Sequence, residues 1–167
     1  QKYRVTYQLA IPSAMNGGSQ RGSEMKAYVN LAVEGETISF ITAKLSGMMS
    51  RSPFFDHLRV IIISEKVAKQ ELGFFDTLDF FLRSNQIRRN VKVLVAKGTA
   101  KDILEIKPEI EQLPSEFIDD VAESRKFNAS IVREGRIGDL HESILGKESF
   151  MLQQVSVSKD RKILSVR

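Results

Sequence analysis

DHLRVIIISEKVAKQELGFFDTLDFFLRSNQIRRNVKVLVAKG, residues 56–98, decides the fold. It holds two runs, RVIIIS (59–64) and VKVLVA (91–96), each about six residues long and rich in β-branched side chains. That is the composition and length of a β-strand. Between them Val67, Leu72, Phe75, Leu78, Phe81 and Leu82 recur at helical spacing. A strand, a helical connection and a second strand predict a βαβ unit with a right-handed parallel crossover. The first run is apolar at all of Val60 to Ile63. Such a pattern predicts cover on both faces and, by extension, a central place in the sheet.

Upstream, YRVTYQLAI (3–11) and MKAYVNLAV (25–33) alternate in polarity and read as a strand pair. The segment between them, 12–24, holds Pro12, Asn16, Gly17, Gly18 and Gly22, the chemistry of a long surface loop. Thr37 then suits the N-cap of a helix whose apolar face is Ile38, Ile41, Leu45 and Met48, and Pro53 lies beyond its end. The strand at 25–33, this helix and the strand at 58–63 predict a second βαβ-like step. Ser64 suits a further N-cap with Glu65 in the first turn. Gly73 is expected to divide a short helix from one over roughly 74–84.

Downstream, Thr99 and Asp102 have the spacing of a small capping box. Pro108 and Pro114 mark a linker. The expected division is therefore an N-terminal mixed α/β domain at 1–107 and part of a second, smaller α/β domain at 108–167. Residues 115–127 read as a helix with Phe117, Ile118 and Val121 inward and Asp119, Asp120 and Glu123 outward on a solvated face. Residues 136–146 read as a short helix with Gly146 as its terminating glycine. A hairpin turning at Lys159-Asp160-Arg161 closes the sequence. The fold class is α/β of mixed type: a mixed sheet with flanking helices. Both termini read as cut from a longer chain.

Composition bounds the chemistry. The chain has 167 residues, 42% hydrophobic and 28% charged, with a net charge of +4, ordinary values for a globular protein. Without cysteine it has no thiolate nucleophile and no disulfide. Its two histidines, His57 and His141, have no supporting pattern for metal binding or base catalysis. Gly146-Lys147 is followed by Glu148 and fails the phosphate-loop pattern, and no GxGxxG or GxSxG is present. Ser64-Glu65-Lys66 puts a carboxylate where a phosphate would sit. No cofactor, no metal and no nucleic-acid partner is expected. Arg83, Arg88, Arg89, Lys92 and Lys97 cluster in sequence without a nucleic-acid motif. They read as turn and edge decoration, with contact to an anionic membrane as the other reading.

What remains is a surface for partners. Phe74, Phe75, Phe80 and Phe81 exceed what one helical stripe needs, and Arg83, Arg88 and Arg89 follow closely. Phe74, Phe75, Arg83, Arg88 and Arg89, with Asn16 and Arg21 from the long loop, are the candidate interaction residues.

Several blocks carry a family resemblance: YRVTYQLAIPS (3–13), FDHLRVIIISE (55–65), LDFFLR (78–83), IRRNVKVLVAKG (87–98), LPSEF (113–117) and, more loosely, GRIGDL (135–140). In this order and spacing they resemble the Ger(x)C family, the C-subunit lipoproteins of bacterial spore nutrient germinant receptors. The resemblance implies several mixed α/β domains and a non-enzymatic receptor component needed for germination. It implies A and B membrane subunits as partners. It also implies a place on the outer face of the spore inner membrane, through an N-terminal lipid that these residues do not carry. The family offers no catalytic motif to transfer. A domain that binds the nutrient directly is the alternative.

Overall fold

The computed structural model describes residues 2–11, 27–49, 55–109, 111–124, 135–162 and 164–167. Strands β1 (Tyr3–Ala10) and β2 (Tyr28–Gly35) pair antiparallel, from Tyr3 opposite Gly35 to Ala10 opposite Tyr28. Their alternation collects Tyr3, Val5, Tyr7, Leu31 and Val33 on one face, and helix α1 (Ile38–Met48) covers it with Ile41 and Leu45. The Thr37 hydroxyl caps α1 by accepting from the Phe40 amide at 3.1 Å. The inward stripe stops at Leu45, because Met48 lies on the last turn and is exposed.

The second sheet has the order β3-β4-β5-β6. Strands β3 (Val60–Ser64) and β4 (Lys92–Ala96) run parallel, Val60 opposite Lys92 and Ser64 opposite Ala96. This is the βαβ unit expected from residues 56–98. Strand β5 (Gln154–Val157) continues parallel to β4, and β6 (Leu164–Val166) returns antiparallel to β5. The closing hairpin turns as expected, with Arg161 in the left-handed region at φ 58°.

Helices cover both faces. On one lie α2 (Glu65–Ala68), α3 (Glu71–Arg83) and α6 (Ile137–Gly146), which enclose Ile61, Ile63 and Val93 with Phe74, Leu78, Ile137 and Leu140. On the other lie α4 (Ala100–Leu104) and α5 (Pro114–Ser124), which enclose Val60, Leu94 and Val155 with Ile103, Ile118 and Ala122.

Several expectations change. Strand β3 has both faces covered, but it stands at the edge of the described sheet and β4 is internal. A continuous apolar run reports layers above and below a strand, not neighbours beside it. The second βαβ step does not form, since β2 and β3 belong to different sheets. Strand β2 alternates and presents Asn30, Ala32 and Glu34 on its second face, a pattern for a hairpin with one apolar side. The break after α2 falls at Lys69 and Gln70, and Gly73 lies inside α3. A Cβ at Gly73 would come within 3.4 Å of the Val67 carbonyl oxygen, so the glycine serves close packing of the two helices. Gly146 is still helical, and the left-handed terminating position falls on Lys147, φ 54°. The expected 107/108 division runs through a shared sheet and a shared core, since β4 pairs with β5 and Leu94 packs with Ile118 and Val155 in one cluster.

The hairpin carries one group with a shifted titration. The Tyr7 hydroxyl, 2.9 Å from Thr42 Oγ1, has its pKa raised by burial, a shift the hydrogen bond opposes. The folded chain thus holds this proton more tightly than the unfolded one. The contribution is complete below the unfolded value of 10.0 and is lost as pH rises through the folded value. Urea titrations at increasing alkalinity should show the native protein losing stability above pH 10.0 more steeply than Tyr7→Phe. Parallel curves would contradict this account.

Candidate functional site

Strand β4 places alternate side chains in opposite layers. Val93 enters the core beneath α3 and α6, whereas Lys92 points with Leu94 toward α5. A lysine aimed into a covered layer must find acceptors, because an unpaired buried ammonium is strongly disfavoured. Only 6% of the Lys92 side chain is accessible. Its Nζ donates to the Asp119 carboxylate, to the Asp119 backbone oxygen at 3.1 Å and to Glu123 Oε2 at 3.2 Å. These acceptors match the three donors of an ammonium. Arg59 adds a longer ion pair to Asp119 Oδ2 at 3.6 Å.

Beside this cluster lies a cavity of about 170 Å³, bordered also by Asn90 and Arg136. It sits at the N-terminal ends of β3 and β4. Ligands of open α/β sheets bind at the opposite, carboxyl ends. The cluster is a charged tie between the internal strand and α5, with every Lys92 donor already engaged. It corrects two expectations: Lys92 is not turn or edge decoration, and Asp119 is buried rather than on a solvated face. The signals were a single lysine within an apolar strand and carboxylates four residues apart on one helix. Only the fold brings them together, across 27 residues.

A larger cleft of about 520 Å³ opens between the start of α1 and the second half of α3. Tyr3, Glu36 and Thr37 border it on one side, and Asp76, Asp79 and Arg83 on the other. The i, i+4 pair of Arg83 and Asp79, 2.7 Å apart, raises the Arg83 pKa. Neither His57 nor His141 borders either cavity. Among the described residues no group of His, Asp or Glu has the arrangement of a metal site. No described helix is long and apolar enough to cross a membrane.

The candidate interaction residues separate by environment. Phe74 is in the core, stacked on Phe150 with ring centroids 5.9 Å apart. Phe75 is 40% exposed and meets Phe74 edge-on. Arg83 lines the larger cleft, and Arg88 is exposed. Arg89 donates to the Gly138 carbonyl at 3.2 Å and to Glu142 at 2.7 Å, so it holds the start of α6. Asn16 and Arg21 lie outside the described residues. Periodicity placed Leu72 on the inward stripe, yet it is 79% exposed, as is Met151 next to Phe150 at 73%. The break between the short helix and the longer one falls at Lys69 and Gln70 rather than at Gly73, so Leu72 belongs to the first turn of α3.

Comparison with known proteins supplies what the chemistry does not. The family model described as the spore germination protein N-terminal domain matches residues 1–157. The chain belongs to this family. Among relatives from Bacillus subtilis (strain 168), spore germination protein YndF is 32% identical over 156 residues, covering 90% of this chain and 38% of the relative. Spore germination protein B3 is 26% identical over 162 residues, covering 96% of this chain and 42% of the relative. The crystal structure of the GerBC protein aligns over 99% of this chain and 42% of its own, with a TM-score of 0.42 and 20% identity. The chain thus spans about two fifths of these relatives. The family resemblance expected from the blocks at 3–13, 55–65, 78–83, 87–98 and 113–117 is met by this membership.

Removing one partner of the buried tie leaves the other charge uncompensated. Lys92→Met should cost about 3–5 kcal/mol, and Lys92→Met with Asp119→Leu should recover much of that loss. Urea midpoints of the single and double variants measure it. A double variant no more stable than the single one would show that the cost lies in packing rather than charge.

Proposed function

We propose that this chain is the N-terminal part of a germinant-receptor C subunit and acts there as a non-enzymatic scaffold or interaction module. On this reading it works with the A and B membrane subunits, on the outer face of the spore inner membrane, held there by a lipid anchor, and is required for germination in response to nutrients. The observation that carries the reading is the family match over residues 1–157. The surface offers support: Leu72 and Phe75 stand exposed on α3, and Arg88 follows in the connection to β4. Exposed aromatic and arginine side chains are the residue types that anchor protein interfaces.

Leu72→Asp with Phe75→Asp, and separately Arg88→Glu, should be introduced into the full-length receptor subunit. The expected outcome is loss of co-purification with the A and B subunits and slower germination, at an unchanged protein level. Normal germination and co-purification in both variants would remove this surface from the proposal.

A direct nutrient sensor is the second reading, favoured by the cleft of about 520 Å³, whose lining combines Tyr3, Ile38 and Phe80 with the charged Glu36, Asp76, Asp79 and Arg83. A thermal-shift screen with amino acids, sugars and nucleosides separates the two readings. A ligand that binds only the native state must raise its melting temperature. A reproducible rise with one compound class, lost in Asp76→Ala, would favour sensing through this cleft.

A further inference from the structure

Among the described residues there are two bodies with separate cores. Val33, Ile41 and Leu45, with Tyr3, Val5, Tyr7, Leu31 and Met49, form a core wholly within β1, β2, α1 and the residue after it. Both cores of the larger sheet take their members from Leu58 onward. No described apolar residue before Met49 belongs to either of them. The seam between the bodies is mixed, with Tyr3, Ile38 and Phe80 beside Glu36, Asp76, Asp79 and Arg83 at the cleft, and relative motion across such an interface between separate cores is the ordinary expectation.

Gln8 spans that seam. On the second face of the hairpin its Nε2 donates to Asn30 Oδ1 and to the Leu104 carbonyl oxygen, each at 3.1 Å. Its Oε1 accepts from the Ser115 amide at 2.8 Å. That amide belongs to the first turn of α5, where backbone N–H groups have no partner within the helix. One side chain thus joins the end of α4 and the start of α5 to the hairpin. On the α1 side, α1 also approaches α3, and beside that approach lies the cleft of about 520 Å³, lined by Tyr3, Ile38 and Phe80 as well as by Glu36, Asp76, Asp79 and Arg83. Water can replace contacts between the charged groups at small cost.

We infer that β1, β2 and α1 form a lid that rocks as one body against the larger sheet, with Gln8 as its latch and the cleft as the space it closes. The latch reaches further than its own contacts. Helix α5, which takes the Gln8 hydrogen bond at its first turn, also carries Asp119 and Glu123, the partners of buried Lys92. A movement of the lid therefore bears on the helix that anchors the internal strand. The inference does not depend on the germination role.

The absence of cysteine allows clean labelling. Spin labels on Ala43→Cys (α1) and Asp120→Cys (α5), both at exposed positions, report the distance between the bodies. Amide hydrogen exchange reports the integrity of each. In Gln8→Ala the distance distribution should broaden or shift. Exchange of the Ser115 amide should rise roughly tenfold, while Ile41 to Leu45 stay within about twofold of the native protein. An unchanged distance distribution would show that Gln8 is no latch. Loss of protection throughout β1, β2 and α1 would show that they are no independent body. Either result overturns the proposal.

Discussion

Lys92 carries a full positive charge on a strand that has lost nearly all contact with water. Its neighbours Val91, Val93 and Leu94 are buried, so β4 can exist only with a layer on each face. One layer, built from α3 and α6, is apolar where it meets β4. The other must be apolar for Leu94 and ionic for Lys92, and α5 meets both demands from one surface. Ile118 and Ala122 go to the core, while Asp119 and Glu123, one residue further on, go to the ammonium. The charge fixes how α5 lies on the sheet, because a shift of one residue would bury carboxylates among aliphatic side chains. Such a pair adds little net stability over apolar residues of the same volume; its effect is on which arrangement is allowed.

That arrangement also explains how the hairpin is attached. Strands β1 and β2 satisfy their own ladder and their own small core, and neither core of the larger sheet includes them. Gln8 ties them to the end of α4 and the start of α5. The helix that balances the buried lysine is thus the helix on which the hairpin rests. The molecule is assembled around α5 although α5 contributes no strand and stands late in the chain. The cleft on the opposite side of the hairpin is the consequence of joining two complete bodies through few contacts.

The sequence carries no phosphate loop and no GxSxG, and its family resemblance rests on the order of short blocks, above all IRRNVKVLVAKG at 87–98. That block contains Arg89, which holds α6, and Lys92, which holds α5. The residues that make the resemblance specific include residues that organise the fold.

Local chemistry was legible in the sequence. The strand pair at 59–64 and 91–96, the caps at Thr37, Ser64 and Thr99 and the closing hairpin follow from side-chain branching, hydroxyl capping and alternation, each acting within a few residues. The environment of Phe74 and Phe75 was half legible: aromatic surplus was visible, but which ring faces inward depends on where α2 ends and α3 begins. Lys92 with Asp119, Gln8 with Ser115 and the edge position of β3 were decided only by tertiary structure. Each depends on which layer or strand comes to lie beside another, and residues 27 or 107 positions apart meet only when the whole chain has packed. Hydrophobic periodicity tells a side chain whether to leave water; it does not name the partner that a buried charge or amide will find there.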